Sequence, residues 1–235
     1  MKNLAVQFIL ILIISSILLS IAALEQEGAY AQISPRTTNA TILSANNDVN
    51  SQSGLQNRSI NYFDGSSGYL VYPTTTTDNN ITDTIEQQQQ KLPAVVMIHE
   101  WWGLNDNIKD MANELAREGY VVLAADLYNG EVATEPNRAR ELSSSVRENP
   151  EQAISNLQSA VQYLASLPNV NSSRIASLGW CFGGGQSLQL ALNSEQNPLA
   201  ATVIYYGNLV NHTNELSKIK WPVLGIFGER SINTC

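Results

Sequence analysis

The spacing of hydrophobic residues along the chain changes at about residue 59. Residues 32–58 are rich in Ser, Thr, Asn and Gln and show no apolar period, which is typical of a disordered linker. From about Ser59 the pattern becomes that of a strand, and short apolar runs then alternate with segments in which apolar residues recur at helical spacing. A second polar stretch, residues 74–90, is predicted to be a surface loop between strands. The chain therefore divides into a polar N-terminal part and a folded domain over residues 59–235.

The apolar runs of this domain predict strands that alternate with amphipathic helices. The run 94–98 is continuously apolar, as expected for a central strand buried on both faces. Asn105 or Asp106 is predicted to cap the helix that follows, and Gly119 to end it. This alternation indicates the α/β class, with a mostly parallel sheet covered by helices on both faces. The predicted strands are 69–72, 94–98, 120–124, 174–178, 201–205 and 223–227, and the predicted helices are 105–118, 138–146, 151–167 and 184–192.

Residues 1–31 have the pattern of a signal peptide. Lys2 is followed by an apolar run over residues 8–24, and Ala29-Tyr30-Ala31 gives an A-x-A cleavage site. The alternative is an uncleaved anchor, since 17 residues are near the lower limit for spanning a bilayer. Either reading predicts a secreted or cell-surface protein that contacts a membrane only through this segment.

Composition and charge exclude several classes of function. The chain of 235 residues is 43% hydrophobic and 14% charged, with a net charge of −8 and no run of Lys or Arg, so no nucleic-acid partner is expected. It shows no dinucleotide fingerprint and no metal-ligand cluster, so no cofactor and no metal are expected. Exported proteins often pair their cysteines. For Cys181 and Cys235 we favour two free thiols, because Cys235 is the last residue of the chain.

The segment Gly179-Trp180-Cys181-Phe182-Gly183 follows a predicted strand and opens a predicted helix. That context is required of a nucleophile elbow, here with Cys in place of the usual Ser. The tight turn leaves little room for side chains nearby, which explains the glycines two residues before and after Cys181. The helix N-terminus behind it favours a thiolate and a developing oxyanion. The alternative is a buried cysteine that serves only as a small hydrophobic residue.

A second motif, His99-Glu100-Trp101-Trp102-Gly103, comes directly after the predicted central strand. In α/β-hydrolases this loop donates one backbone N–H to the oxyanion hole, here that of Trp101, and the residue after the nucleophile, here Phe182, donates the other. Glu100 places a carboxylate at the same strand end. The segment Asp126-Leu127-Tyr128 follows the next strand and is predicted to shape the rim.

With these motifs the chain resembles the dienelactone hydrolase family, and the resemblance extends over residues 59–228. It implies the α/β-hydrolase fold, a Cys–His–Asp triad, and contact between Glu100 and the thiol of Cys181. Family substrates are cyclic enol lactones with a carboxylate that arginines bind, and Arg138 or Arg140 is similar in placement, although either could equally be an exposed helix residue. Tyr128 and Tyr206 are further candidates for substrate contacts. The expected partner is a small lactone or ester, and the expected state is a monomer. The matching segments, beyond the two motifs above, are 119–120, 125–128, 205–207, 222–224 and Gly228.

The sequence departs from the family near its end. Ser231 stands where the triad Asp is expected, and the segment expected to carry the triad His, the last strand and the last helix is missing. Neither His99 nor His212 matches the chain order nucleophile, acid, histidine. The sequence thus predicts a truncated lactone or ester hydrolase acting through an acyl-thioester, with impaired activity. The alternatives are a non-catalytic exported binding protein or inactive fragment on the same fold and, ranked last for want of a C-x-x-C motif, a thiol redox protein using both cysteines.

Overall fold

The computed structural model describes residues 54–74 and 91–228. The predicted signal peptide, most of the predicted linker, most of the loop 74–90 and the positions Ser231 and Cys235 lie outside these residues. Within the described ranges no helix is long and apolar enough to cross a membrane.

A seven-stranded sheet forms the centre of the described domain, in the order β1-β2-β4-β3-β5-β6-β7. The pairings β1–β2 and β2–β4 are antiparallel, and β3 to β7 run parallel to their neighbours. The mostly parallel sheet confirms the predicted α/β-hydrolase class. The strands are β1 (Leu55–Phe63), β2 (Ser66–Pro73), β3 (Leu92–Ile98), β4 (Val121–Ala125), β5 (Val170–Trp180), β6 (Ala201–Tyr205) and β7 (Val223–Ile226).

Helices cover both faces of this sheet, because the direction in which strands are added reverses after β4. The connection from β3 to β4 runs toward one edge of the sheet, and the connections from β4 to β5 and from β5 to β6 run toward the other edge. With right-handed crossovers, the β3–β4 helix lies on one face, and the helices joining β4 to β5 and β5 to β6 lie on the opposite face. The helices are α1 (Asp106–Arg117), α2 (Pro136–Glu148), α3 (Pro150–Ser166), α4 (Phe182–Leu192) and the short α5 (Thr213–Leu216). All of β4 and β6, and residues 94–98 of β3, are buried, as their apolar sequences predict.

The sequence analysis placed the start of β1 a few residues too late and missed one short helix. The linker predicted to reach residue 58 is wrong at its end, because β1 already begins at Leu55. The strand carries polar residues and buries little beyond Leu55 and Ile60, and backbone pairing with β2 holds it in the sheet. Helix α5 is a single turn with no buried residue, so it leaves no apolar period to detect.

The local signals that were detected correspond to specific contacts. The side chain of Asn105 caps α1 by accepting the backbone N–H of Ile108 at 3.1 Å. Gly119 follows α1 at φ 93°, a conformation that favours glycine. In the described part of the sheet β7 is an edge strand, and Val223 and Phe227 at this edge are 46% and 42% exposed.

Candidate active site

Cys181 occupies a tight turn between the end of β5 and the start of α4. Its backbone angles are φ 54° and ψ −117°, which a residue with a side chain adopts only when the surrounding structure enforces them. The N–H of Cys181 donates to the carbonyl of Tyr205 at 2.9 Å, and its carbonyl accepts the N–H of Gly185 at 3.3 Å. The turn is therefore held from both β6 and α4.

The glycines around Cys181 are required by close packing of backbone on backbone. A Cβ at Gly179 would overlap the carbonyl group of Gly183. A Cβ at Gly183 would overlap the carbonyl oxygens of Ile98 and His99, at the end of β3. These contacts agree with the steric argument made from the sequence, and they show that α4 presses directly against the loop after β3.

Strand register brings three predicted site residues together. Ile98 of β3 pairs with Gly179 of β5, and Trp180 of β5 pairs with Tyr205 of β6. Glu100 comes two residues after β3, Cys181 directly follows β5 and Tyr206 directly follows β6, so all three lie at the carboxyl edge of the sheet. We call these three residues the edge row.

Within the edge row, the hydroxyl of Tyr206 donates to Oε1 of Glu100 at 3.2 Å. Burial, the negative charge of Glu100 and this hydrogen bond raise the pKa of Tyr206 to about 12. Tyr206 has φ 40°, and its N–H donates to the carbonyl of Ile226 at 2.8 Å. The backbone of β7 thus fixes the residue that reaches Glu100.

The two predicted oxyanion-hole residues flank Cys181 in the expected elements. Phe182 is the first residue of α4, so its N–H lies in the helical turn whose N–H groups have no intrahelical acceptor. Trp101 lies in the loop after β3, and its carbonyl accepts the hydroxyl of Tyr128 at 3.2 Å. Tyr128 also packs with Cys181 and Phe182 in one buried cluster. Tyr128 therefore supports the site wall, as its position after β4 suggested.

His99 is fully buried and belongs to the wall of the site. Its Nδ1–H donates to the carbonyl of Glu100 at 2.6 Å, and its Nε2 accepts the N–H of Leu127 at 3.2 Å. The ring packs against Tyr128 and Phe182 at centroid distances of 4.6 and 5.8 Å. Burial lowers the pKa of His99, and the bond to Glu100 and the charge of Asp126 offset part of this effect. A neutral His99 therefore ties the loop after β3 to the loop after β4.

Asp126 fixes the loop after β4 in the same way. Its buried carboxylate accepts the N–H of Tyr128 at 2.8 Å and the N–H of Gly130 in a short hydrogen bond. The loop turns through Asn129 and Gly130, both with positive φ. This carboxylate orders the backbone that presents Tyr128.

A cleft of about 260 Å³ opens beside Cys181. Phe182 and Tyr206 line it together with Cys181, and Arg147 from α2 forms part of its wall. The guanidinium carbon of Arg147 lies 5.6 Å from the ring centroid of Phe182. The remaining lining residues are Val146, Pro150, Ile154, Gly185, Gln186, Gln189 and Asn208.

The arginines predicted to bind substrate lie elsewhere. Arg138 is exposed and ion-paired with Glu131 at 2.5 Å and with Glu141 at 2.9 Å. The side chain of Arg140 donates to Asn137, and neither arginine lines the cleft. Helix geometry explains the difference, because α2 buries Ala139 and Ser143, and residues four apart share a face.

The sequence analysis missed Arg147, although the four-residue spacing of the buried residues of α2 points to it. Arg147 lies four residues beyond Ser143, and its Nη1 is 3.4 Å from the Ser143 hydroxyl. The series 139, 143, 147 marks the face of α2 that turns toward the site. Arg138 and Arg140 flank this series and point to other directions around the helix.

The redox state of Cys181 differs from the expectation. The structure gives Cys181 as disulfide-bonded, whereas the sequence analysis favoured a free thiol. Any chemistry at its sulfur therefore concerns the reduced form. In the described part of the chain, no three His, Cys, Asp or Glu side chains lie close enough together to hold a metal ion.

Comparison with known proteins agrees with this fold. A protein of Saccharolobus solfataricus named "Putative carboxymethylenebutenolidase" is 33% identical, and the match covers 57% of this chain and 64% of that protein. The solved structure m3DLH is 30% identical with a TM-score of 0.62, covering 74% of this chain and 69% of its own. A dienelactone hydrolase-like promiscuous phosphotriesterase, P91 from metagenomic libraries, is 27% identical with the same TM-score and coverage.

The matches cover only part of each relative's length but most of the described domain of this chain. The chain covers between half and two thirds of the length of the first curated relatives that it matches. The model of the dienelactone hydrolase family matches residues 82–232, well over half of the chain and including the edge row. The chain belongs to the dienelactone hydrolase family.

Proposed function

We propose that this protein hydrolyses small lactones or esters, with reduced Cys181 as the nucleophile. The observation that carries the proposal is the strained backbone of Cys181 at the strand-to-helix turn, beside a cleft and at the N-terminus of α4. A cysteine that only filled space would not need this conformation. Membership of the family supports the same reaction class.

In the first step Glu100 takes the proton of the Cys181 thiol, and the thiolate sulfur attacks the carbonyl carbon of the substrate. The N–H groups of Phe182 and Trp101 hold the oxygen on which negative charge develops. The bond from the carbonyl carbon to the leaving oxygen then breaks, that oxygen takes the proton back from Glu100, and an acyl-thioester remains on Cys181.

In the second step water attacks the acyl-thioester and releases the carboxylic acid and the thiol. A base must accept the proton of that water. His99 is unsuited because it is buried with both ring nitrogens bonded, and His212 is exposed and not part of the cleft. Accumulation of the acyl-enzyme is the kinetic signature expected of this two-step route.

Arg147 supports a substrate that carries a carboxylate, as the substrates of the family do. It is the arginine of α2 that lines the cleft, and its position over the Phe182 ring keeps its charge near Cys181. A carboxylate on the substrate could accept hydrogen bonds from the guanidinium while the carbonyl carbon lies at the sulfur. For the setting of this activity, we propose export, on the basis of the signal-like pattern of residues 1–31.

The test is a stopped-flow assay of the reduced full chain with p-nitrophenyl acetate and with a carboxylate-bearing dienelactone. We expect a burst of about one product per protein followed by slow turnover, and no burst in Cys181→Ala. Mass spectrometry should show the acyl adduct on Cys181.

Arg147→Gln separates the two substrates. Loss of the guanidinium should weaken acylation by the dienelactone about tenfold, because a charge-assisted hydrogen bond is lost, and leave p-nitrophenyl acetate unchanged. Arg138→Gln is the matched control and should affect neither substrate. A folded protein without burst or adduct, which nevertheless binds the dienelactone, would instead identify a non-catalytic binding protein.

A further inference from the structure

We propose that Tyr206 is a positioning residue that holds Glu100 toward Cys181 and thereby promotes formation of the thiolate. The inference rests on the proposed function, since it assigns Glu100 the proton of Cys181. It gives Tyr206 a role different from the substrate contact predicted from the sequence, because its hydroxyl is bonded to Glu100.

The first argument is the placement of the three residues. Cys181 is the middle member of the edge row, with Glu100 beyond β3 on one side and Tyr206 beyond β6 on the other. The hydrogen bond between Tyr206 and Glu100 therefore crosses the strand end that carries Cys181. Because β5 lies between β3 and β6 in the sheet, this bond keeps the carboxylate close to the strand end that carries Cys181.

The second argument is the chemistry of the bond. A phenol hydroxyl donates one hydrogen bond, whereas a carboxylate has about four acceptor positions on two oxygens. Tyr206 binds Oε1 of Glu100, which leaves Oε2 and further lone pairs to accept the thiol proton. Without this bond, the partly exposed Glu100 side chain would gain rotamer freedom and spend less time near the sulfur.

The third argument is the strained backbone conformation of Tyr206. Its φ of 40° is in the left-handed region, and a residue that only covered surface would not need it. Tyr206 is 38% exposed, so its position adds little to the core, and it lines the same cleft as Cys181. A strained backbone and an exposed ring favour a role at the site over a role in packing.

Alkylation of reduced Cys181 tests the proposal without requiring turnover. The thiolate attacks iodoacetamide, a carbon–sulfur bond forms and iodide leaves, so the rate at Cys181, followed by peptide mass spectrometry, reports thiolate formation. The variants are Glu100→Gln, Tyr206→Phe and the double variant. We expect each single variant to slow alkylation about tenfold, and the double variant to be no slower than Glu100→Gln alone.

The ultraviolet absorbance of the thiolate supplies a second readout that a merely structural role would not move. It should fall in both single variants while their urea-unfolding midpoints stay near that of the parent. Tyr69→Phe is the matched control, because the Tyr69 hydroxyl donates to Oδ1 of Asn113 at 2.7 Å, away from the cleft. Its alkylation rate should equal that of the parent.

The outcomes separate the two proposals. If Glu100→Gln slows alkylation but Tyr206→Phe leaves the rate unchanged or raises it, the positioning role is overturned and the proposed function stands. Additive slowing in the double variant would also overturn it, since Tyr206 would then act independently of Glu100. If Glu100→Gln has no effect, the assignment of the proton to Glu100 fails, and the role of Tyr206 fails with it.

Discussion

His99 and Glu100 are neighbours in the chain and lie on opposite sides of the loop after β3. His99 is fully buried, and both of its ring nitrogens are bonded to backbone groups. Glu100 is partly exposed, and a single tyrosine hydroxyl bonds its carboxylate. We call the first the closed side and the second the open side.

The difference shows that two neighbouring residues at one strand end can have different roles, one in stabilising the fold and one in the chemistry of the site. On the closed side, the polar groups are fully satisfied by fixed partners, so they order the backbone but have no capacity left for a substrate. On the open side, Glu100 keeps unused acceptor positions next to a cleft. A histidine beside a nucleophile is therefore not evidence of a catalytic base, because its hydrogen bonds decide its role.

The largest expected effect is the difference in the free energy of unfolding between alanine variants of His99 and Glu100. His99→Ala should lower the free energy of unfolding by at least about 3 kcal/mol, since it leaves a cavity and removes the partners of the Glu100 carbonyl and the Leu127 N–H. Glu100→Ala should cost less than about 0.5 kcal/mol, as at most surface positions. Urea unfolding of both variants measures the contrast, and equal losses would remove the distinction between the two sides.

A smaller effect is expected where α4 presses on the closed side. Gly183→Ala should destabilise the protein by about 1–3 kcal/mol, because its Cβ meets the carbonyl oxygens of Ile98 and His99. Gly185→Ala is the matched control two residues later in the same helix, where the nearest atom to a Cβ would be 3.4 Å away. It should be neutral or stabilising by up to about 1 kcal/mol, owing to helix propensity. Similar thermal unfolding of the two variants would contradict the packing argument.

The smallest expected effect is the pH dependence that the closed side produces. Burial lowers the pKa of His99 in the folded protein, whereas in the unfolded chain it is about 6.5. Below pH ~6.5 the unfolded state therefore binds more protons, so stability is full above this pH and falls as the pH decreases, by at most about 1.4 kcal/mol per unit.

Urea titrations between pH 7.5 and 5.5, on the order of one unit either side of that value, check this slope. His99→Asn should lose it, and His212→Asn, at an exposed histidine 72% accessible, should retain it. A parent protein whose stability is flat over this range would mean that His99 takes up a proton in the folded state as easily as in the unfolded chain.

Much of the fold could be predicted because its signals are local. Apolar runs located the central strands, and glycines marked the turn at Cys181. The sequence could not reveal where β1 begins, because this strand is held by backbone pairing and carries few apolar residues. Nor could it pair Tyr206 with Glu100, because that contact depends on strand register across 106 positions of the chain.

The arginines illustrate the same limit within one helix. Resemblance to the family favoured Arg138 and Arg140, whereas the buried face of α2 runs through Ala139 and Ser143 to Arg147. The periodicity of this buried face would have selected Arg147, which lines the cleft. At the C-terminal end, the departure at Ser231 stays a prediction, because this position lies outside the described residues.

The edge row has a consequence for how the protein tolerates insertions. Its three members come from distant parts of the chain, yet the pairing of β3, β5 and β6 sets the spacing of the strands that carry them. Connections that do not contact the site, such as the one from α4 to β6, can therefore lengthen or shorten without moving Glu100, Cys181 or Tyr206. A shift in the pairing of β3, β5 or β6 would instead separate the three residues.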